Sequence, residues 1–456
     1  MDFDTAQLLT SDLSTMQVTN WGKYPVIDVP VKTYRPGSSL NGMGETGWIP
    51  RGLGRCYGDS ALGPGIVSSA GLKRFLNFDP ETGILDCEAG VSYEDILEQF
   101  VPKGWFPPVT PGTKFVTMGG ALASDVHGKN HHVEGSFLKH VVDFDLLTAE
   151  GILLTCSREQ NAEIFFATAG GMGLTGLITR VKLRLKPIET SAIKIQNIKA
   201  RNLDEIMELF DQFESTTYSV AWIDVLSRGK KLGRSILMQG EHATREEIKG
   251  SKWEKDPLHI PQKLKLAVPF DFPGFTLNNF TIKAFNTLYY GKQLKKEVTG
   301  LADYDSFFYP LDFIHHWNRI YGRRGFTQYQ FALPRAHGAE GMRVILEQIV
   351  KRGFGSFLSV LKGFGPEGEG YMSFPMGGYT LTLDFPISKR LFPFLDELDE
   401  LVLKYGGRVY LTKDVRLKGE TLARMYPRLS QFRQVINEVN PNGTVRSFQS
   451  ERLGLH

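Results

Sequence analysis
Hydrophobic positions recur at two periods along the chain, and the switch between them marks out its elements. Over residues 200–215, Leu203, Ile206, Met207 and Phe210 fall on one face at helical spacing, which predicts an amphipathic helix laid on a core. Residues 176–186 alternate instead, with Leu177, Thr179, Val181, Leu183 and Leu185 on one side, as in a half-buried strand. Short strands are predicted at 65–69, 75–78 and 84–88, with residues 80–83 turning between the last two. Ser92 followed by Asp95 has the form of a capping box and opens a helix running through Ile96, Leu97 and Phe100 to Gly104. Residues 140–155 read as a hairpin turning at Glu150 and Gly151, and residues 160–168 as a helix. Residues 187–198 form the expected crossing into a second domain, with strands predicted at 220–225, 234–239, 327–333, 356–362 and 379–385. Strands and helices mix without regular βαβ alternation, so the fold class expected is α+β.

The chain has 456 residues, too many for one typical core and suited to two domains. Its 41% hydrophobic and 23% charged residues are those of a globular protein. A net charge of +3 without any block of five or more like charges gives nucleic-acid binding little support. The acidic start, Met1 to Gln7, lacks the basic and apolar regions of a signal peptide, and no apolar run approaches the roughly eighteen residues of a membrane span. A cytoplasmic location is therefore expected. Cys56, Cys87 and Cys156 show no metal or disulfide spacing, so reduced thiols are expected. His127, His131 and His132 resemble a metal cluster, but Lys129 intervenes and no Cys, Asp or Glu completes it; no metal is expected.

Residues 258–296 break the pattern. Pro261, Pro269 and Pro273 lie among Phe270, Phe272, Phe275, Phe280 and Phe285, with Lys263, Lys265, Lys283, Lys292, Lys295 and Lys296 interspersed. This mixture suits either a mobile lid or lipid contact, or a plain buried helix with a loop.

Three glycine-rich stretches carry the strongest chemical signal, at residues 51–60, 110–130 and 167–177. Glycine lacks the Cβ that keeps a ligand away from the backbone, so main-chain N–H groups beside Ser, Thr and Asp can surround a phosphate. Three such loops imply one long anionic ligand, for which a dinucleotide is the natural candidate. The Rossmann spacing is absent: Gly52 and Gly54 are followed by Gly58, and Gly63, Pro64 and Gly65 forbid the helix that should come next.

These stretches resemble the FAD-binding (PCMH-type) domain of the vanillyl-alcohol oxidase family. The resemblance narrows at Ser124–His132, Gln328–Gln330, Tyr410–Asp414, Leu311–Asp312, Trp317–Arg319 and Asp384–Ile387, which are similar to the decaprenylphosphoryl-ribose 2-oxidases, the flavin half of a two-enzyme epimerase. It covers nearly the whole chain from about residue 15. It implies a two-domain fold, with an FAD-binding part at 1–190, a strand-rich substrate domain at 191–407 and a return to the FAD-binding part at 408–456. The implied flavin contacts are Arg51, Gly52, Leu53, Gly54, Arg55, Cys56, Tyr57, Gly58, Ser60 and Ala61 in the first stretch. In the second they are Pro111, Gly112, Thr113, Thr117, Gly119, Gly120, Ala123, Ser124, His127, Gly128 and Asn130. Gly173, Gly176 and Ile178 follow in the third, with Tyr410 and Lys413 near the C-terminus. Cys56 stands where many members of the wider family carry a histidine linked to the flavin, so a non-covalent FAD is expected.

Oxidising an alcohol on a flavin requires a hydride acceptor, an acceptor for the hydroxyl proton and positive charge near the reduced ring. The resemblance assigns Lys413, Tyr410 and His127 to this chemistry. Lys413 can serve as base or as flavin stabiliser, and the residues alone leave both open. In a regular strand Tyr410 and Lys413 point to opposite faces, so both reach one site only if the strand ends or bulges between them. Gln328 and Gln330 share one side of a strand whose other side is aromatic, as in a wall that binds sugar hydroxyls. Lys362 is suited to a substrate phosphate, and Lys129, Tyr57, Thr380 and Thr382 complete the expected substrate contacts. Thr380 and Thr382 replace an Asn and a Cys of the related enzymes, and Phe308 a Tyr. The implied activity is oxidation at C2 of a polyprenylphosphoryl-β-D-ribose, with a soluble-alditol or sugar-lactone oxidase as the alternative, or a flavin-binding partner without turnover. The implied partners are the lipid sugar, a separate NAD(P)H-dependent keto-sugar reductase, quinone or dioxygen as electron acceptor, and a peripheral membrane contact, on either face.

Overall fold
The computed structural model describes residues 14–38, 40, 47–262 and 264–455. Met1 to Gln7 and Lys263 lie outside the described residues. Three larger sheets organise the chain. A four-stranded sheet joins Ser14–Thr19, Val26–Thr33, Ile66–Ser68 and Ile49–Arg51, its last three strands parallel. A five-stranded antiparallel sheet runs in the order Phe75–Asp79, Ile84–Glu88, Leu177–Arg184, Val141–Leu147 and Leu153–Ser157. The third has eight antiparallel strands, in the order Glu297–Asp303, Ala192–Ala200, Ser235–His242, Tyr218–Ile223, Ser359–Phe364, Gly378–Pro386, Phe326–Pro334 and Arg408–Val409. With helices throughout and no βαβ alternation, the architecture is α+β.

The local signals act as their chemistry requires. Ser92 and Asp95 cap each other's backbone at the start of helix Tyr93–Phe100. That helix is shorter than predicted: a 3₁₀ turn at Val101–Lys103 follows, because Pro102 lacks an N–H to donate, and Gly104 ends it at φ 80°. The helix predicted over 200–215 spans Leu203–Gln212, and its buried residues are Leu203, Ile206, Met207 and Phe210. Burying each of those side chains contributes roughly 1.5–3 kcal/mol, enough to hold a helix that would be marginal alone. The strand expected from 356 begins at Ser359 instead. Ser356 is spent on a turn, its hydroxyl donating to the Leu358 carbonyl and accepting from the Asp384 N–H.

The eight-stranded sheet has two unlike faces. Tyr329, Phe331 and Leu333, with Leu381 and Leu383 of the neighbouring strand, share one apolar core with Met342 and Ile345 of helix Arg335–Arg352 and with Leu395 and Leu398 of helix Leu391–Lys404. Because side chains alternate along a strand, Gln328, Gln330, Thr382 and Asp384 are turned to the other face. The C-terminal segment ties the parts together. Val445 bridges to Trp48, and Arg452 pairs with Asp59 at 2.8 Å and Asp414 at 2.9 Å.

Within 258–296, residues Asn279–Gly291 form a helix, with Asn278 capping the Phe280 and Thr281 N–H groups. Only Ile282 and Asn286 of this helix are buried. Phe275, Phe280 and Leu288 are 76%, 80% and 74% exposed. The expectation of a plain buried helix therefore fails. A short parallel pair, Leu266–Ala267 with Ile314–His315, ties the segment to the wall of the cleft described next.

Candidate active site
The polar face of the eight-stranded sheet and the three glycine-rich loops enclose a cleft of about 320 Å³. The first loop leaves strand Ile49–Arg51 and passes Gly54 at φ 60°, where a Cβ would stand 2.1 Å from the Arg51 guanidinium. Arg51 is held beneath it, donating to the Thr19 carbonyl at 2.8 Å and to Asn20 Oδ1. The second loop contributes Gly112, at which a Cβ would meet no protein atom within 4 Å, and the helix Met118–Ala123 capped by Thr117. Gly173 and Gly176 of the third loop, with Ile178 on the strand that follows it, complete that side.

Opposite lie Gln328, Gln330, Lys362, Thr382, Tyr410 and Lys413. The strand Arg408–Val409 stops before Tyr410, and Leu411–Lys413 turn into a 3₁₀ helix. This break is what brings both Tyr410 and Lys413 to the cleft. Tyr410 donates its hydroxyl to the Ser124 carbonyl at 2.7 Å, and burial raises its pKa, so it stays neutral with its proton committed. Lys413 Nζ sits 4.0 Å from the centre of the Tyr57 ring. Burial pulls Lys413 down to about 8, against the raising effect of Asp384 and Cys56. Burial and the neighbouring Lys413 likewise lower Lys362 to about 7.

A hydrogen-bond chain sets the tautomer of His127. Thr380 donates to the Phe331 carbonyl at 2.8 Å, so its oxygen accepts from Gln330 Nε2 at 3.2 Å. The second Gln330 amide proton points to His127 Nε2 at 3.0 Å, which leaves the His127 proton on Nδ1. Burial holds His127 well below its usual pKa, hence neutral. Its Nδ1 is buried without a protein partner. An orphan donor and an open glycine surface in one cleft are what a bound flavin and its substrate would satisfy; the residues present fit FAD.

Five expected contacts do not line the cleft. Thr380 acts one step back, through Gln330. Lys129 donates to the Phe307 carbonyl and lies 4.3 Å from the Phe307 ring. Gly58 packs on the Asp414 carbonyl and Gly128 on Thr110, while Asn130 Nδ2 donates to Pro108. Conversely, the cleft includes Trp21, Phe115, Asp312, Trp317 and Val360, to which sequence reasoning gave no role. The Arg55 guanidinium lies 4.4 Å from the Trp21 ring and 5.1 Å from that of Phe115. No spacing rule links these residues; the runs at Leu311–Asp312 and Trp317–Arg319 signalled Asp312 and Trp317, and no local pattern pointed to Trp21, Phe115 or Val360.

The FAD binding domain family matches residues 45–157. Over 97% of its length the chain is 37% identical to the decaprenylphosphoryl-beta-D-ribose oxidase of Mycolicibacterium smegmatis, covering 98% of that protein. The chain belongs to the decaprenylphosphoryl-beta-D-ribose oxidase family. It is an FAD-dependent oxidoreductase, and the first two glycine-rich loops, at 51–60 and 110–130, lie within the residues that match the FAD binding domain. It is also 34% identical over 80% of its length to the uncharacterized protein in mprA 5'region of Streptomyces coelicolor, covering 100% of that protein. Cytokinin dehydrogenase 2 of Arabidopsis thaliana is 28% identical over 32% of the chain and 30% of its own length.

Proposed function
We propose that this protein oxidises the C2 hydroxyl of a polyprenylphosphoryl-β-D-ribose to the 2-keto sugar. This is the first half of an epimerisation that a separate nicotinamide-dependent reductase completes to the arabinose donor for cell-wall arabinan. One observation carries the reading beyond kinship. Lys362 and Lys413 line the same cleft, and among the described residues neither has a carboxylate within ion-pair distance. Two ammonium groups drawn partly out of water without an ion-paired carboxylate raise the free energy of the cleft until a proton leaves or an anion enters, so Lys413 can stand neutral while Lys362 stays charged beside an anion. A phosphodiester beside a sugar supplies one.

Bound FAD supplies the two-electron acceptor. Gln328, Gln330 and Thr382 bind the sugar hydroxyls, and Lys362 meets the phosphate. Lys413, lowered by burial to about 8 and so close to neutral pH, takes the hydroxyl proton as the carbonyl forms. Tyr410 fixes the second loop against the sheet, and neutral His127 offers its Nδ1 proton as a donor. Cys56 would contact the flavin without a covalent bond, leaving it dissociable, and quinone or dioxygen would serve as the final electron acceptor. Release of all flavin on acid precipitation is the expected result.

No helix among the described residues is long and apolar enough to cross a membrane. The bare phenylalanines and lysines of residues 264–296 give a peripheral contact at which the lipid tail can stay in the bilayer. Anaerobic addition of farnesylphosphoryl-ribose to the purified protein should bleach the flavin absorbance. Absence of bleaching, with free polyols reducing the flavin instead, would overturn the lipid-sugar assignment.

A further inference from the structure
Directly behind the cleft wall lies a carboxylate that the oxidation described above does not use. Asp384 is 0% exposed, and it faces Gln328 across the ladder between strands Gly378–Pro386 and Phe326–Pro334. Gln328 Nε2 donates to Asp384 Oδ1 at 2.6 Å, and the Tyr321 hydroxyl donates to Oδ2 at 3.0 Å. Tyr321 is itself fixed by stacking on Phe326, their ring centres 4.0 Å apart. Among the described residues no lysine or arginine forms an ion pair with Asp384. A buried carboxylate with two neutral donors and no paired cation is an expensive arrangement for a purely structural role.

We propose that Asp384 is a positioning residue of the oxidation site, which orients the Gln328 amide toward the substrate and holds the charge balance around Lys413. The first half follows from hydrogen-bond polarity. A carboxylate accepts only, so the amide must turn its Nε2 toward Asp384. The same Nε2 donates to the Tyr57 hydroxyl at 3.3 Å, which commits its second proton. Gln328 Oε1 is then left as an acceptor and the Tyr57 O–H as a donor, both on cleft-lining residues. An acceptor beside a donor is what a sugar hydroxyl needs to be held with its proton in a defined direction. The second half is electrostatic. Lys413 Nζ stands 4.0 Å from the centre of the Tyr57 ring, whose hydroxyl accepts from the same Gln328 that donates to Asp384, so the two charges lie in one buried cluster. Burial lowers Lys413 and Asp384 is the leading group that opposes it, while burial raises Asp384 to about 7 against the lowering effect of Gln328, Tyr321 and Lys413. The other titratable groups facing this pair are Tyr57, Tyr321, Cys56, Lys362 and His127.

The catalytic consequence rests on the proposed oxidation, whereas the effect on Lys413 does not, and the test separates them. Competitive acetylation of Lys413 in the FAD-bound protein, followed against pH by mass spectrometry, reports its protonation without any substrate. In Asp384→Asn, which keeps the size and removes the charge, the midpoint should fall by about one pH unit. Compared at a pH above both midpoints, where Lys413 is neutral in either protein, flavin reduction by farnesylphosphoryl-ribose should slow at least ~10-fold with flavin content retained, because the Gln328 amide is no longer fixed. Tyr321→Phe should move the midpoint in the same direction by less, because a carboxylate that loses a donor carries less charge. An unchanged midpoint in Asp384→Asn overturns the proposal. If that variant does not fold, an unchanged midpoint in Tyr321→Phe does so. Wild-type protein that the substrate fails to reduce would defeat the proposed function alone, and the labelling result would still decide the role of Asp384.

Discussion
Lysines occupy two regions of this protein and do opposite things there. In the cleft, Lys362 and Lys413 are stripped of much of their water, lack carboxylate partners and are pushed toward neutrality at about 7 and about 8. Along residues 264–296, Lys265, Lys283 and Lys295 stand exposed beside Phe270, Phe275 and Phe280. The residue type is the same, but the solvent decides its use. A desolvated ammonium exchanges protons near neutral pH and demands an anion; a solvated one beside bare aromatics stays a fixed charge suited to an anionic surface.

The comparison breaks most visibly at Lys413. Lys413→Ala should slow substrate-driven flavin reduction ~10²–10⁴-fold, the usual worth of a positioned acid–base group, with FAD still bound; stopped-flow absorbance measures it. Lys362→Ala should chiefly raise KM, by ~10–100-fold for the phosphorylated substrate, because a charge-assisted contact is lost while the proton acceptor remains. Free ribose, lacking the phosphate, should show no such difference between Lys362→Ala and wild type.

The pH dependence sharpens the contrast. Burial lowers the Lys413 pKa, so the neutral amine that accepts a proton accumulates as pH rises through about 8. Flavin reduction should therefore climb between mildly acidic pH and about pH 9, roughly tenfold per unit below the midpoint. The smallest effect on chemistry belongs to the exposed segment. Phe275→Ser with Phe280→Ser should weaken co-sedimentation with anionic vesicles ~10-fold or more, since each phenylalanine that enters the interface contributes about 1.5–3 kcal/mol. The same variant should reduce its flavin with farnesylphosphoryl-ribose in detergent at the wild-type rate.

Much of this arrangement was legible one residue at a time. Ser92 with Asp95, the stripe Leu203, Ile206, Met207 and Phe210, and the alternation around Gln328 and Gln330 each follow from local periodicity, and each appears where that periodicity puts it. The glycines of the three loops signalled a long anionic ligand because close approach needs backbone without Cβ. Other features were not legible. The run Asp384–Ile387 carries part of the resemblance, but the pairing of Asp384 with Gln328 depends on a ladder register that no local pattern specifies. Thr380 reads as a cleft residue, two positions from Thr382 on the same face, yet Gln330 stands between it and the cavity. Trp21 and Phe115 reach Arg55 from distant parts of the chain.

By itself the sequence determined many of the strands and helices of the cleft region, which face of each is apolar, and that three loops are built to let a ligand touch the backbone. Those properties are local: period, capping and the absence of a Cβ act within a few residues. Only the tertiary structure decided that Lys413 and Tyr410 share a site, because the strand carrying them ends at Val409. It also decided which lysines lose their water and which keep it. Desolvation and hydrogen-bond polarity belong to groups brought together from distant positions, so they arise only when the sheet face and the loops close over one cleft.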